Sequence, residues 1–275
     1  YELTTVNDFI GFANLVNGES NALALTGESQ AISFEGKTVR VKEGVKEFDL
    51  STVIPLGDSW IPIQGFKGTF LGNGILVSHL YNDKLIEKSY GLFGEVTGSI
   101  IDGVSVSGTI SGNTVHNLSI GGLVGQSFGQ TIISNCSSSV TFNLGQRYGR
   151  KIGGVIGSLD NSSYVVGCTS SANITVQTSS GNQDTIGGVI GFVYSFSYIV
   201  SCAYEGIIKG VGVMTNSFVG GILGSMSTSS TIQACYSDVM FSAYNNPGSI
   251  LVSNYNDYPG IISGCYYEGT SGYCG

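Results

Sequence analysis

The chain has 275 residues, 11% of them charged and 42 of them glycine, with 41% hydrophobic residues and a net charge of −8. So sparse and acidic a charge excludes a nucleic-acid surface, which needs clustered Lys and Arg, and the only basic residue after Lys151 is Lys209. No apolar run approaches the roughly 20 residues of a membrane span, and Tyr1 opens no positively charged signal segment, so either a signal has been removed or none existed.

The opening residues predict a short amphipathic helix. Thr5 stands as N-cap with Asp8 three residues on, Val6, Phe9, Ile10, Ala13, Leu15 and Val16 supply an apolar side, and Asn17-Gly18 ends it. A helix ahead of stacked strands covers the open end of the stack. Ala31 to Phe34, Thr38 to Val41 and Glu47 to Val53 then read as the strands of irregular first coils.

From Gly122 onward the chain repeats. Gly122, Gly154, Gly188 and Gly221 each open a Gly-aliphatic-aliphatic-Gly block, and a cysteine follows each by 14 residues, at Cys136, Cys168, Cys202 and Cys235. Cysteine spacings of 32, 34 and 33 residues signal a solenoid, because propeller blades use roughly 40 to 45 residues and four strands. Three residues before the cysteine stands a branched aliphatic, Ile133, Val165, Ile199, Ile232 and Ile262, with Ile100 matching one unit earlier and Gly103 in the cysteine place. Repeated in every coil, that position is a core column with coils about 4.8 Å apart.

Length varies only between a cysteine and the next glycine block. The loops containing Arg147 to Lys151, Ser179 to Asp184 and Gly212 to Asn216 are therefore expected to line one exposed edge. Ser249 to Ser253 replaces the glycine block in the last unit, as a capping coil requires. The expected fold is all-β, a right-handed parallel β-helix of about 33 residues per repeat with a short N-terminal capping helix. One domain is expected over 1–275, with a helical cap at 1–20, irregular first coils at 21–90, regular repeats at 91–243 and a degenerate C-terminal coil at 244–275.

The chemistry-bearing residues are few. Cys136, Cys168, Cys202, Cys235 and Cys265, stacked one coil apart, read as a ladder of small buried thiols, and Cys274 lies outside that column, where it is placed to pair with Cys265. Zinc is not expected, since there is no C-x-x-C pair and the only histidines are His79 and His116. No Gly-x-Ser-x-Gly motif supports a nucleophilic triad, and no cofactor is implied. Three residues after the cysteine the column reads Ser139, Ser171, Glu205, Asp238 and Glu268, with Tyr204, Tyr236, Tyr266 and Tyr267 beside the acids. The alternatives for it are a solvated acidic stripe, a calcium-holding row, a glycosidase carboxylate pair or a glycan-contacting face.

The glycine block followed by a T-I-x-x-C strand resembles the GLUG-motif repeats of bacterial and protist surface proteins. Tyr90-Gly91-Leu92-Phe93-Gly94 with Ser99-Ile100-Ile101-Asp102-Gly103 is similar to that family's first repeat. Phe66 to Gly74 resembles the F-x-G-x-F-D-G-x-G segment ahead of it, with Leu71 for the aspartate and Ile75 for the histidine that follows. The resemblance, spanning residues 4 to 267, implies a non-enzymatic extracellular or cell-surface protein that binds a surface glycan or an extracellular matrix protein. Two other readings stay open: a subunit self-associating through its solenoid ends into a filament or coat, and a polysaccharide lyase or glycoside hydrolase.

Overall fold

The computed structural model describes residues 1–27, 30–85, 88–113, 116–147, 149–178, 183–212, 217–227, 230–242, 247–254 and 260–268. The chain winds about six turns of ~32 residues into a parallel β-solenoid. In the coil that begins at Ser119, Ser119–Gly121 lies in a five-stranded sheet and Val124–Phe128 in a seven-stranded one. Ile132–Ser134 and Ser137–Leu144 then belong to a long 16-stranded sheet that bends between them.

Each corner of the coil has its own stacking device. Between the two shorter sheets the glycine block lets successive backbones pack against each other. A methyl group at Gly154 would overlap the Gly188 carbonyl of the next coil and the Ser170 hydroxyl across the core. Where the chain enters the long sheet, a buried hydroxyl column takes over. Thr131, Ser163 and Ser197 each donate their backbone N–H to the hydroxyl of the corresponding serine one coil on, Ser163, Ser197 and Ser230, at 3.2 Å. These bonds satisfy donors that the turn would otherwise bury without partners.

The bend inside the long sheet is made by one left-handed residue per coil. Asn135, Gly167, Ser201, Ala234 and Gly264 have φ of 52°, 63°, 54°, 53° and 60°. Residues with a Cβ are strained there by roughly 1–2 kcal/mol, yet Ser201 and Ala234 hold the conformation. The first four donate their N–H to the next coil, to Val166, Val200, Gln233 and Ser263, at 3.0 Å. The ladder thus runs unbroken through the bend and fixes the strained torsion.

Register around this bend corrects one sequence expectation. Ile132 pairs with Ile100 and Ile133 with Ile101, so the residue one coil before the buried Ile133 is Ile101. Gly103, with φ of 66°, occupies the left-handed position, and Val104 takes the cysteine place ahead of the Ser105–Ser137 pair. Reading Gly103 as the cysteine's counterpart slips the alignment by one residue, which turns every side chain to the opposite face.

Cys136, Cys168, Cys202 and Cys235 are buried, Cys265 is half-buried, and all five are free thiols. Each Sγ lies 3.6–3.7 Å from a carbonyl of the preceding coil, those of Ile101, Ile133, Val165, Ile199 and Ile232. Cys274 and any pairing of it with Cys265 lie outside the described residues. The Cys202 thiol is pushed up to about 12 by its hydrogen bond with Cys168 and by burial, against an opposing bond from Cys235. Cys168 and Cys235 are raised likewise, chiefly through Cys136 and Cys202 respectively.

The return loops are more deeply embedded than their variable length implies. Arg150 and Asp184 are wholly buried, with Nη2 2.7 Å from Oδ2 and Nε 3.3 Å from both carboxylate oxygens. The same guanidinium donates to the carbonyls of Gly145 at 2.5 Å and Gln177 at 2.9 Å, and the Arg150 N–H to Asp184 Oδ1 at 2.9 Å. Two consecutive loops are thereby clamped to one another. An exposed edge of plain connectors is not what these residues make, because the polar atoms gathered here out of water must satisfy one another. Residues 148, 179–182 and 213–216 of these loops lie outside the described set.

At the N-terminal end, α1 (Val6–Asn17) carries the full capping box between Thr5 and Asp8 and stops at the left-handed Gly18. Its buried side chains are Phe9, Phe12, Ala13 and Val16. Phe9 stacks on Trp60 at 5.8 Å and on Phe48 at 5.6 Å, and Phe12 meets Phe34, Phe66 and Phe70. A second helix, α2 (Ser20–Thr26), follows. Thr38–Val41 is a strand, while Ala31 to Phe34 is irregular and the stretch expected as Glu47 to Val53 divides into the strand Glu47–Asp49 and a 3-10 turn at Leu50–Thr52.

Two outcomes follow from the buried groups. Because the folded Cys168, Cys202 and Cys235 thiols titrate above the ordinary value of 9.0, their neutral form favours the fold: stability is whole below about pH 9 and is lost as pH rises toward 12. Urea midpoints measured from pH 7 to 11 should be flat and then fall, and a thiol reagent at pH 8 should label Cys136, Cys168, Cys202 and Cys235 only after denaturation. Asp184→Ala, which strands the Arg150 charge, should lower unfolding free energy by about 3–5 kcal/mol, whereas Arg150→Met with Asp184→Leu should recover most of it.

Candidate functional site

The outer surface of the long sheet gathers the exposed residues with chemistry to offer. Strand alternation decides which ones. In Ile132–Ser134, Tyr164–Val166, Tyr198–Val200 and Thr231–Gln233 the middle residue is buried and its neighbours face out. The first outward position forms a column of Ile100, Ile132, Tyr164, Tyr198, Thr231 and Ile261 in register. Tyr164 and Tyr198 are 44% and 45% exposed and stack at 5.0 Å with rings 7° apart. Beside them run Ser134, Val166, Val200, Gln233 and Ser263, so the facet carries no formal charge from Ile132 to Ser263.

Beyond the bend lies a second facet. Its outward columns are Ser105, Ser137, Thr169, Ala203, Tyr236 and Tyr266, and next to it Ser107, Ser139, Glu205, Asp238 and Glu268. Tyr236 and Tyr266 stack at 5.8 Å with rings 10° apart, and their hydroxyls donate to Glu268 at 3.4 and 3.2 Å. Tyr236 is shifted up by burial and then by the charges of Glu268, Asp238 and Glu205, and Tyr266 chiefly by its bond to Glu268. Tyr267 follows on the inward column but is exposed, because it belongs to the last described coil. Ser139, Ser171 and Glu205 border a hollow of about 300 Å³.

Tyr204 is not part of this face. It lies in the inward column with Ser170 and Ser237 and is wholly buried, its hydroxyl donating to the Ala172 carbonyl at 3.0 Å. The ring covers Gly188, where an added methyl would run into it, and burial pushes the phenol's pKa up. Its place in a ligand face is therefore withdrawn. Residues one and three after the cysteine point out and the second points in, so adjacency to Glu205 put Tyr204 on the wrong side. The Tyr164–Tyr198 pair, absent from the sequence-based site, stands four residues before the cysteine. Applying the same alternation to Ile133 and its equivalents would have found it.

The unit that builds both facets has a counterpart among known proteins. Residues 116–143 match the family model described as the GLUG motif. That span is most of one coil, from the strand before the glycine block through the bend, and register pairs it with coils on both sides. No curated relative and no solved structure matches the chain. The GLUG coil thus accounts for the architecture, a repeat protein, and the facets must be read from their own side chains.

Tyr204→Phe, which keeps the ring and removes its buried donor, should lower unfolding free energy by about 1 kcal/mol in chemical denaturation. Tyr204→Ser, matching the neighbouring coils, should lower it by about 3–5 kcal/mol through the cavity left behind.

Proposed function

We propose that this chain is a non-enzymatic extracellular surface protein, a β-solenoid that attaches to a glycan or to a matrix protein through the outward facets of its long sheet. The observation carrying this reading is the exposed Tyr164–Tyr198 stack within an uncharged facet. Stacking has already ordered the two rings, so contact with a partner immobilises little further, and phenols present an apolar body with a polar tip. Tyr236 and Tyr266, tethered to Glu268, offer a second stack with acidic groups beside it.

Turnover has less support. Glu205, Asp238 and Glu268 succeed one another in a regular exposed column, whereas a glycosidase pair needs a site that sets its two carboxyls apart in pKa. Self-association is favoured by a different feature. Among the described residues, Ile261–Ser263 and Tyr266–Glu268 pair on one side only, and Ile261 and Tyr266 are each 60% exposed. An unpaired edge of that kind templates another chain.

A glycan array and a matrix-protein binding screen on purified protein test the reading, with light scattering on the same sample. Tyr164→Ala with Tyr198→Ala should weaken binding at least about tenfold and leave the unfolding midpoint close to the parent's. Retained binding in that variant and in Tyr236→Ala with Tyr266→Ala would overturn the assignment, and release of reducing sugar from a polysaccharide would replace it with an enzyme.

A further inference from the structure

A second cluster of chemistry lies on the irregular first coils, far in sequence from the facets. Glu47 and Asp49 flank the buried Phe48 on the strand Glu47–Asp49, so alternation turns both carboxylates outward. That strand pairs with Leu76 to Ser78 of the next coil. There the ladder to the following coil shifts: Val77 faces Val106 but Leu80 faces Gly108, leaving Ser78 and His79 to share one place. A bulge re-aims the inserted side chain. His79, with φ of 57°, brings Nδ1 to 2.9 Å from Asp49 Oδ1 and 3.2 Å from the Ser78 hydroxyl.

One donor atom from each of Glu47, Asp49 and His79 falls within 4.8 Å of the other two. Both carboxylates are already oriented by hydroxyls. Ser78 donates to Glu47 Oε1 at 2.6 Å, and Ser51 donates to Asp49 Oδ1 from its hydroxyl at 2.7 Å and its N–H at 2.9 Å. Beside His79 opens a cavity of about 410 Å³ walled by Leu50, Ile54, Leu80 and Tyr81. Two carboxylates against one imidazole leave an excess of negative charge even when the imidazole is protonated, and a divalent cation balances it.

We propose that Glu47, Asp49 and His79 form a three-donor site for a divalent transition-metal ion, Zn²⁺ before others, whose remaining coordination position faces this cavity. Tetrahedral zinc with ligands at about 2.0–2.2 Å sets donors roughly 3.4 Å apart, a contraction that rotation of exposed side chains supplies. The imidazole nitrogen selects against Ca²⁺ and Mg²⁺, which take oxygen donors in larger number. Ser78 and Ser51 act as the outer hydrogen-bonding groups that hold ligating carboxylates in place. On binding, Nδ1 exchanges its hydrogen bond with Asp49 for the metal, and the proton it carried passes to solvent.

Calorimetric titration of the metal-stripped full chain with Zn²⁺ tests this. One equivalent should bind, and His79→Asn, chosen because Asn accepts positive φ, and Glu47→Gln, at an exposed position, should each weaken binding by at least the ~10–100-fold that loss of an outer hydrogen-bonding group costs. The Tyr164→Ala, Tyr198→Ala variant should bind as the parent does. Cobalt substitution should give visible d–d bands without thiolate charge transfer, separating this site from the cysteine column. The proposal is overturned if the parent binds no zinc, if thiolate bands appear, or if affinity stays within twofold in Glu47→Gln and in folded His79→Asn; should His79→Asn not fold by circular dichroism, Glu47→Gln alone decides.

Discussion

Everything in this molecule depends on the parallel backbone ladder that ties each coil to the next without slip. Because Ile100, Ile132, Tyr164, Tyr198, Thr231 and Ile261 occupy one register line, a position faces the same way in successive coils, and only the last described coil leaves its inward side chains uncovered. The corners are where the ladder is in danger of breaking, and each is protected differently. Glycines allow backbone contact at the first, hydroxyls replace missing acceptors at the second, and left-handed residues keep their N–H in the ladder at the third. The return loop, free to vary in length, is secured where Arg150 meets Asp184.

These devices differ in what they tolerate. The left-handed place accepts Asn, Gly, Ser and Ala, because pairing on either side outweighs the torsional strain. The corner glycines have no such latitude, since besides a side chain across the core the obstruction is the backbone carbonyl of the next coil, which cannot turn aside. Inside, Ser138, Ser170, Tyr204 and Ser237 follow one another in a column that faces Gly122, Gly154, Gly188 and Gly221, and with no Cβ opposite there is room even for the tyrosine ring. Such core substitutions are matched across the interior of one coil, side chain against facing glycine.

Much of this was legible in the chain itself. The 14-residue step from glycine block to cysteine marked the coil, and Thr5, Asp8 and Gly18 marked the helix, where the cap chemistry is local. Phe12 escaped because the helical stripe was drawn without it, although it sits among Phe34, Phe66 and Phe70. Legibility failed where parity mattered: a slip of one at Gly103 and a misjudged face at Tyr204 both came from aligning letters without the two-residue pleat. The Arg150–Asp184 clamp and the grouping of His79 with Glu47 and Asp49 are contacts between coils about 30 residues apart. The latter also needs a bulge that no turn residue announces.

The thiol column gives the fold an asymmetry between staying folded and returning to it. Held in one body, Cys136, Cys168, Cys202 and Cys235 are sheltered, and the last three are also less acidic than a free thiol, so oxidants find little to attack. Once several coils open in an oxidising medium, the same sulfurs become flexible neighbours in a chain that has lost its register, and random cross-links between them forbid rewinding. Lifetime in such a medium is then governed by how rarely the coils part, a matter of rate, and damage is a ratchet that turns one way.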